Sequence, residues 1–312
     1  MTISDRASSL AALRDAGNLE ALYQALAPLN LTPGWIEREK PILRPDPDTS
    51  FKPMHWRYAD CKAALDAASR LINTDLAERR NLVLCNSAEG NNYATAKTLV
   101  NAYQTILPGE VARSHRHTPH ALRVIIESEG AFSVVNGEKH PMETGDIVLT
   151  PGWCWHGHGH DGEAPAYWLD GLDVPLVRFM GPMFVEFHDG GNMHDEGRPA
   201  GDNMARYGAN MLPMGATFET RNSPVFHYPY PKTRDALATL ARSGDLAPYH
   251  GIKMEYVNPA TGGPSMPTLG PYMQHPPKSL ATETYRPTAA SLDPPAAGTA
   301  RPTSADTTRE PP

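Results

Sequence analysis

Residues 109–158 constrain this chain more than any other stretch, because they force it to reverse direction at short intervals. Asn136-Gly137 lies between the apolar runs 132–135 and 138–142. That dipeptide tolerates the two positive φ angles of a two-residue hairpin loop, so it turns one strand back along another. Gly145-Asp146 marks a second reversal, ahead of the run 147–150. Pro108-Gly109 and Pro151-Gly152 bracket the whole. Turns this close together leave room for short antiparallel strands only, and a small barrel is the fold they build.

Histidines sit on these strands at informative places. In an extended strand alternate side chains share a face, so His115 and His117 project together while Arg116 points away. The two turns then carry His156 back toward that pair. Three imidazoles converging inside a barrel form a metal geometry. Thirteen histidines occur in the chain. Isolated ones, such as His55 and His188, are expected to be structural.

The spacing resembles the cupin superfamily. Gly109, His115-x-His117 and Gly130 are similar to the first cupin motif, and Gly145, Pro151 and His156 to the second. Ala121 and Leu122 stand where most cupins carry a glutamate ligand. A site of three neutral histidines leaves the ion's charge uncompensated and one face open, which suits an anionic, bidentate ligand.

Longer strings narrow the resemblance. Residues 77–82, 102–104, 115–123, 153–159 and 167–173 resemble gentisate 1,2-dioxygenase and its salicylate-cleaving relatives, and the likeness runs from about Leu22 to Arg286. It implies an all-β cupin (double-stranded β-helix, jelly-roll) core, with Fe(II) held by His115, His117 and His156. It implies catalytic roles for His158, Arg123 and Asp170, and a substrate pocket of Arg123, Gln104, Trp168, His158 and one of Arg79 or Arg80. The reaction implied is the opening of gentisate (2,5-dihydroxybenzoate) by O2 to maleylpyruvate. Salicylate or 1-hydroxy-2-naphthoate is the alternative substrate. A non-catalytic cupin module or inactive fragment, and a zinc or manganese cupin such as an isomerase, are the alternatives in other classes.

Strand parity supports part of this pocket independently. Counting by twos from His117 through Pro119 and Ala121 reaches Arg123, which therefore faces inward if no bulge intervenes. An arginine buried there calls for an anion such as a substrate carboxylate. The same count puts His158 and Cys154 on the interior, Cys154 as a small apolar filler. Trp168 and Asp170 share a face, where Trp168 is placed to cover an aromatic ring and Asp170 to orient His158 or another polar partner.

The rest of the chain is read as follows. Residues 1–80 hold helices and a Pro-rich arm, 81–187 the metal-binding cupin, and 188–250 a mobile loop and a helix over 232–242. Residues 251–286 are the opening of a truncated second cupin, and 287–312 a disordered tail with too few large apolar residues to offset its ordering entropy. One or two helices are expected within 5–27, capped by Ser4 or Asp5, and another over 58–72 with Ala64, Leu65, Ala68, Leu71 and Ile72 on its inner face. The net charge of −7 and the lack of basic clusters exclude nucleic acid and anionic membranes as partners. Cys61, Cys85 and Cys154 show no pairing pattern, and no apolar run is long enough to span a bilayer, so a cytoplasmic protein is expected. The resemblance implies a homo-oligomer, the family's homotetramer, and a lower-order assembly is expected here because contacts from the second domain are lost.

Overall fold

The structure is a computed structural model, and it describes residues 3–35, 45–77, 79–189, 197–218, 220–244, 247–275, 282–285 and 287–294. The chain divides into two compact units, Met1–Asp48 and Thr49–Pro312.

The first unit contains helices α1 (Ile3–Asp15) and α2 (Leu19–Leu26). Helix α1 begins at Ile3, so Ser4 and Asp5 lie inside it and do not cap it. Asn18 caps α2, its Oδ1 accepting from the Ala21 N–H at 2.9 Å. After the short 3-10 helix Ala27–Leu29, which takes in Pro28, the described part of the Pro-rich arm has no regular structure, as its prolines dictate, and residues 36–44 lie outside the described residues.

The second unit begins with α3 (Tyr58–Leu71) and α4 (Thr74–Ala77). There follow β1 (Arg80–Val83), β2 (Val100–Ile106), β3 (Val111–His117), β4 (Ala121–Glu127), β5 (Ala131–Val135) and β6 (Glu138–Pro141). The barrel is completed by β7 (Ile147–Thr150), β8 (His156–His160) and β9 (Ala166–Leu172). Helix α5 (Val174–Met180), β10 (Val185–Phe187), α6 (Asp202–Tyr207), β11 (His227–Tyr228), α7 (Tyr230–Ala241), β12 (Ile252–Glu255) and β13 (Tyr272–His275) come after it. Helix α6 lies within the segment expected to be a mobile loop, and residues 190–196 of that segment lie outside the described residues. Its N-terminal amide of Asn203 donates to the buried carboxylate of Glu138 at 3.2–3.3 Å, a favourable place for negative charge.

Two antiparallel sheets face each other. One runs β1-β2-β9-β4-β7-β11 and the other β10-β3-β8-β5-β6. The hairpin expected at Asn136-Gly137 joins β5 to β6, with φ of 46° and 82° at the two loop residues. Alternation along the strands sorts side chains into three clusters. Inward-facing Ile106, Ile125, Met142, Val148 and Trp168 fill the barrel. Their sequence neighbours Tyr167 and Leu169 face outward and pack against Leu65 of α3. Ile147 and Leu149, which flank Val148, meet Tyr256, Met266 and Leu269.

One expectation changes here. The face of α3 that packs on the sheet is the row Tyr58, Cys61 and Leu65. Leu71, six residues beyond Leu65, falls off that row and is 82 % exposed, while Ile72 ends the helix in extended backbone. Residues 252–275 form the two-stranded pair β12 and β13, and side chains between them pack on the outer face of the barrel. In the segment expected to be a disordered tail, Leu292 packs against the α3 cluster, because one large apolar residue found a surface to cover; residues 295–312 lie outside the described residues.

Candidate metal centre

Strand β3 supplies His115 and His117, and β8 supplies His156 directly opposite His115 in the register. One nitrogen from each ring lies within 4.8 Å of the other two, and the ring centroids are 4.5–5.3 Å apart. Hydrogen bonds decide which nitrogen faces inward. His117 Nδ1 lies 2.8 Å from the Pro119 carbonyl and His156 Nδ1 3.0 Å from the Cys154 carbonyl. A carbonyl only accepts, so both Nδ1 atoms carry the proton and both Nε2 atoms keep a lone pair. His156 Nε2 is buried without a hydrogen-bond partner among the described residues. His115 differs: its Nδ1 lies 2.8 Å from Arg79 Nη1.

The third histidine is placed by the loop 151–155. Asn136 clamps this loop, its N–H donating to the Trp155 carbonyl at 2.8 Å and its Oδ1 accepting from the Trp155 N–H at 2.9 Å. The Trp153 N–H donates to the His117 carbonyl at 2.8 Å, and Trp153 takes a positive φ of 68° to do so. A Cβ at Gly152 would come within 2.5 Å of the Thr118 carbonyl oxygen, so only glycine permits this approach. The hairpin that reverses the chain thus also fixes the ligand strand.

All three rings are neutral near pH 7. Burial, then Arg79, His117 and Arg123, pushes His115 down to about 2. His117 is pushed down to about 4, chiefly by burial and against the opposing carbonyl of Pro119. Burial holds His156 well below the usual imidazole range. Such rings offer lone pairs to a cation without a proton to displace. Ala121 is fully buried, and Leu122 packs on the outer face, where most cupins have their glutamate.

The opposite sheet contributes the polar side chains. Arg123 stands across from Asp170 in the β4–β9 register, Nε to Oδ1 3.2 Å, and its Nη1 donates to Thr150 Oγ1. Neither Arg123 Nε nor Asp170 Oδ1 has a well-aligned hydrogen-bond partner among the described residues. Burial pushes Asp170 up, while Arg123 and Trp168 act against that shift. Trp168 Nε1 donates to Asp170 Oδ2 at 3.1 Å, and Gln104 pairs with Trp168 in the β2–β9 register. Both Gln104 and Trp168 are buried.

Four expectations are refined. Arg123 faces inward, but not by unbroken parity: β3 ends at His117 and β4 begins at Ala121 in the other sheet. Asp170 serves Arg123 and Trp168, and it is Ser133 Oγ, 2.8 Å from Nδ1, that holds His158. Cys154 precedes β8, so strand alternation does not govern it, and it is half-buried; its carbonyl, not its side chain, bears on the site. Of the adjacent arginines Arg79 reaches the histidines, while Arg80 is buried in an ion pair with Glu110. Sequence reasoning missed Ser133 and Thr150. A single hydroxyl on the inward face of the apolar run 131–135 was the available signal for the first.

A double-sheet antiparallel barrel of this kind is a cupin, residues 102–173 match the cupin domain model, and the three convergent histidines on its inner face could hold a metal ion. Gentisate 1,2-dioxygenase 1 of Aquipseudomonas alcaligenes is 39 % identical over 270 residues, covering 86 % of this chain and 77 % of that protein. Gentisate 1,2-dioxygenase of a Ralstonia species is 40 % identical, covering 83 % and 73 %. A crystal structure of salicylate 1,2-dioxygenase from Pseudoaminobacter salicylatoxidans, an adduct with gentisate, superposes with a TM-score of 0.72 at 32 % identity, covering 83 % of this chain and 72 % of that one. The chain belongs to the gentisate 1,2-dioxygenase family, and so to the oxidoreductases that insert both atoms of O2. Among the described residues no helix is long and apolar enough to cross a membrane.

Proposed function

We propose that this chain is an Fe(II)-dependent dioxygenase that opens the ring of gentisate to give maleylpyruvate. The observation that carries this reading is the pairing, inside one barrel, of three neutral histidines with a buried arginine whose Nε lacks an aligned partner. The histidines fit a divalent cation: two rings are locked with Nε2 as the donor, and His156 Nε2 is a buried lone pair with nothing to accept from. His115, His117 and His156 would hold the iron, which when bound supplies Lewis acidity and a path for electrons between the ring and O2.

The chain's own residues do the rest. Arg123 receives the substrate carboxylate, because a guanidinium can bind it in a paired, charge-assisted way that an ammonium cannot. Asp170 and Thr150 fix the guanidinium plane from behind. Arg79 Nη1 lies 2.8 Å from His115 Nδ1 and so brings a second cation to the histidines, where an anionic substrate would be favoured. His158 presents Nε2 toward a substrate hydroxyl, and Trp168 and Gln104 close the pocket around the ring. Burial of these groups excludes bulk water from the reacting atoms.

Salicylate is the second reading, favoured by the likeness to a salicylate 1,2-dioxygenase whose structure carries gentisate. The test is anaerobic reconstitution with Fe(II), followed by oxygen uptake with gentisate and, in parallel, salicylate, while absorbance follows the ring-opened product. Uptake coupled to product with gentisate is expected. Stoichiometric iron without uptake on either acid would refute the proposal.

A further inference from the structure

Strands β5 and β8 are neighbours in which Ser133 stands directly opposite His158. Both side chains are buried, at 0 % and 1 % exposure. Ser133 Oγ lies 2.8 Å from His158 Nδ1 and 3.2 Å from Met142 Sδ. A hydroxyl owns one proton, and a thioether sulfur only accepts. If serine donates to Met142, its lone pairs are left for Nδ1, which must then be the N–H partner, and two hydrogen bonds form. If serine donates to Nδ1 instead, one forms, and oxygen and sulfur face each other with no proton between them.

We infer that Ser133 and Met142 form a relay that fixes His158 as its Nδ1–H tautomer and leaves a bare Nε2 lone pair as the group His158 offers. Nε2 has no hydrogen-bond partner among the described residues. The relay has a rigid anchor, since Met142 is wholly buried in the cluster that contains Trp168, whose ring centroid is 5.4 Å from that of His158. A buried acceptor is matched by a donor, so His158 selects a ligand carrying a hydroxyl and disfavours one that presents only carbonyl or carboxylate oxygen there. Ser133 and Met142 are positioning residues. The selection of a hydroxyl rests on the gentisate reading above, whereas the tautomer itself does not.

The tautomer is read directly by long-range proton–nitrogen NMR on ¹⁵N-histidine-labelled protein loaded with zinc, which keeps the site diamagnetic. His158 is assigned from the signals lost in His158→Gln. We expect a protonated-type Nδ1 and an unprotonated-type Nε2 in the parent chain. In Met142→Leu, a swap that keeps volume but removes the acceptor, the Nε2–H form should gain population. Ser133→Ala should lower kcat on the order of tenfold with a smaller change in KM for gentisate, and Met142→Leu should follow it in the same sense. A proton on Nε2 in the parent chain, or an unchanged tautomer in Met142→Leu, overturns the relay whatever Ser133→Ala does to folding. The expected tautomer in a chain that takes up no oxygen with gentisate would leave the relay standing and remove the substrate reading instead.

Discussion

Two groups of histidines differ in their placement in this barrel: one converges on a common point, and the other braces the chain. His117 and His156 are held through Nδ1 by main-chain carbonyls, which orient a ring without supplying charge. His227, by contrast, donates through Nε2 to the Asp146 carboxylate at 2.7 Å, and His140 Nδ1 lies 3.8 Å from Glu138. Asp146 also accepts from the Tyr230 and Glu143 amides, so it ties β11, the start of α7 and the turn before β7 into one network. Either kind of partner on one nitrogen leaves the lone pair of the other nitrogen available, so the difference lies in convergence: His115, His117 and His156 bring one nitrogen each within 4.8 Å of the other two, whereas His227 spends its Nε2 on Asp146. Convergence of ring nitrogens, more than burial or the number of histidines, separates a candidate ligand from a brace.

His156→Ala breaks the comparison on the metal side with the largest effect. Loss of one of three protein ligands should abolish stoichiometric iron, measured by elemental analysis after reconstitution, while the melting temperature of the metal-free chain changes little. Retained iron at one per chain would show that the triad is not the site.

Arg123→Ala comes next. It strands Asp170 as a buried carboxylate and removes the carboxylate clamp, so kcat/KM for gentisate should fall by a factor on the order of 100 or more, with stability lowered by about 3 kcal/mol in urea titrations. Asp170→Asn with Arg123→Met, made together, should recover much of the stability and none of the activity.

His227→Ala sharpens the comparison on the structural side. It should cost about 2 kcal/mol of stability by leaving the buried Asp146 short of a donor, with the metal content unchanged. Parallel loss of metal would show that the two histidine groups are coupled.

The smallest effect concerns acid. Burial, then His227 and Arg198, pushes His140 down to about 3. The unfolded chain binds that proton near pH 6.5 and the folded chain refuses it until about pH 3, so the contribution to stability is whole above about 6.5 and is lost as pH falls toward 3. His140→Gln should therefore show a shallower fall in urea midpoint between about pH 6 and pH 4 than the parent chain. An unchanged slope would mean that His140 is not kept neutral by its surroundings.

Much of the site was legible because strands repeat every two residues and glycine-bearing turns announce themselves. His115, His117 and His156, the Asn136-Gly137 hairpin and the shared face of Trp168 and Asp170 all follow from that periodicity. What stayed hidden depends on partners distant in sequence. No local rule pairs Ser133 with His158 or Arg123 with Thr150, and none says that Arg80 is claimed by Glu110 while its neighbour reaches the histidines. The inward turn of Arg123 was legible in outcome but not in route, since the chain changes sheets between His117 and Ala121.

The sequence by itself determined the antiparallel barrel, the three histidines and the arginine that shares their interior. Turn chemistry and strand alternation are local, and local rules are written in adjacent residues. Only the tertiary structure decided which nitrogen of each ring is bare, because a tautomer is set by whatever lies against the other nitrogen. For His117 and His156 that is a carbonyl two residues away, and for His158 a serine on the neighbouring strand.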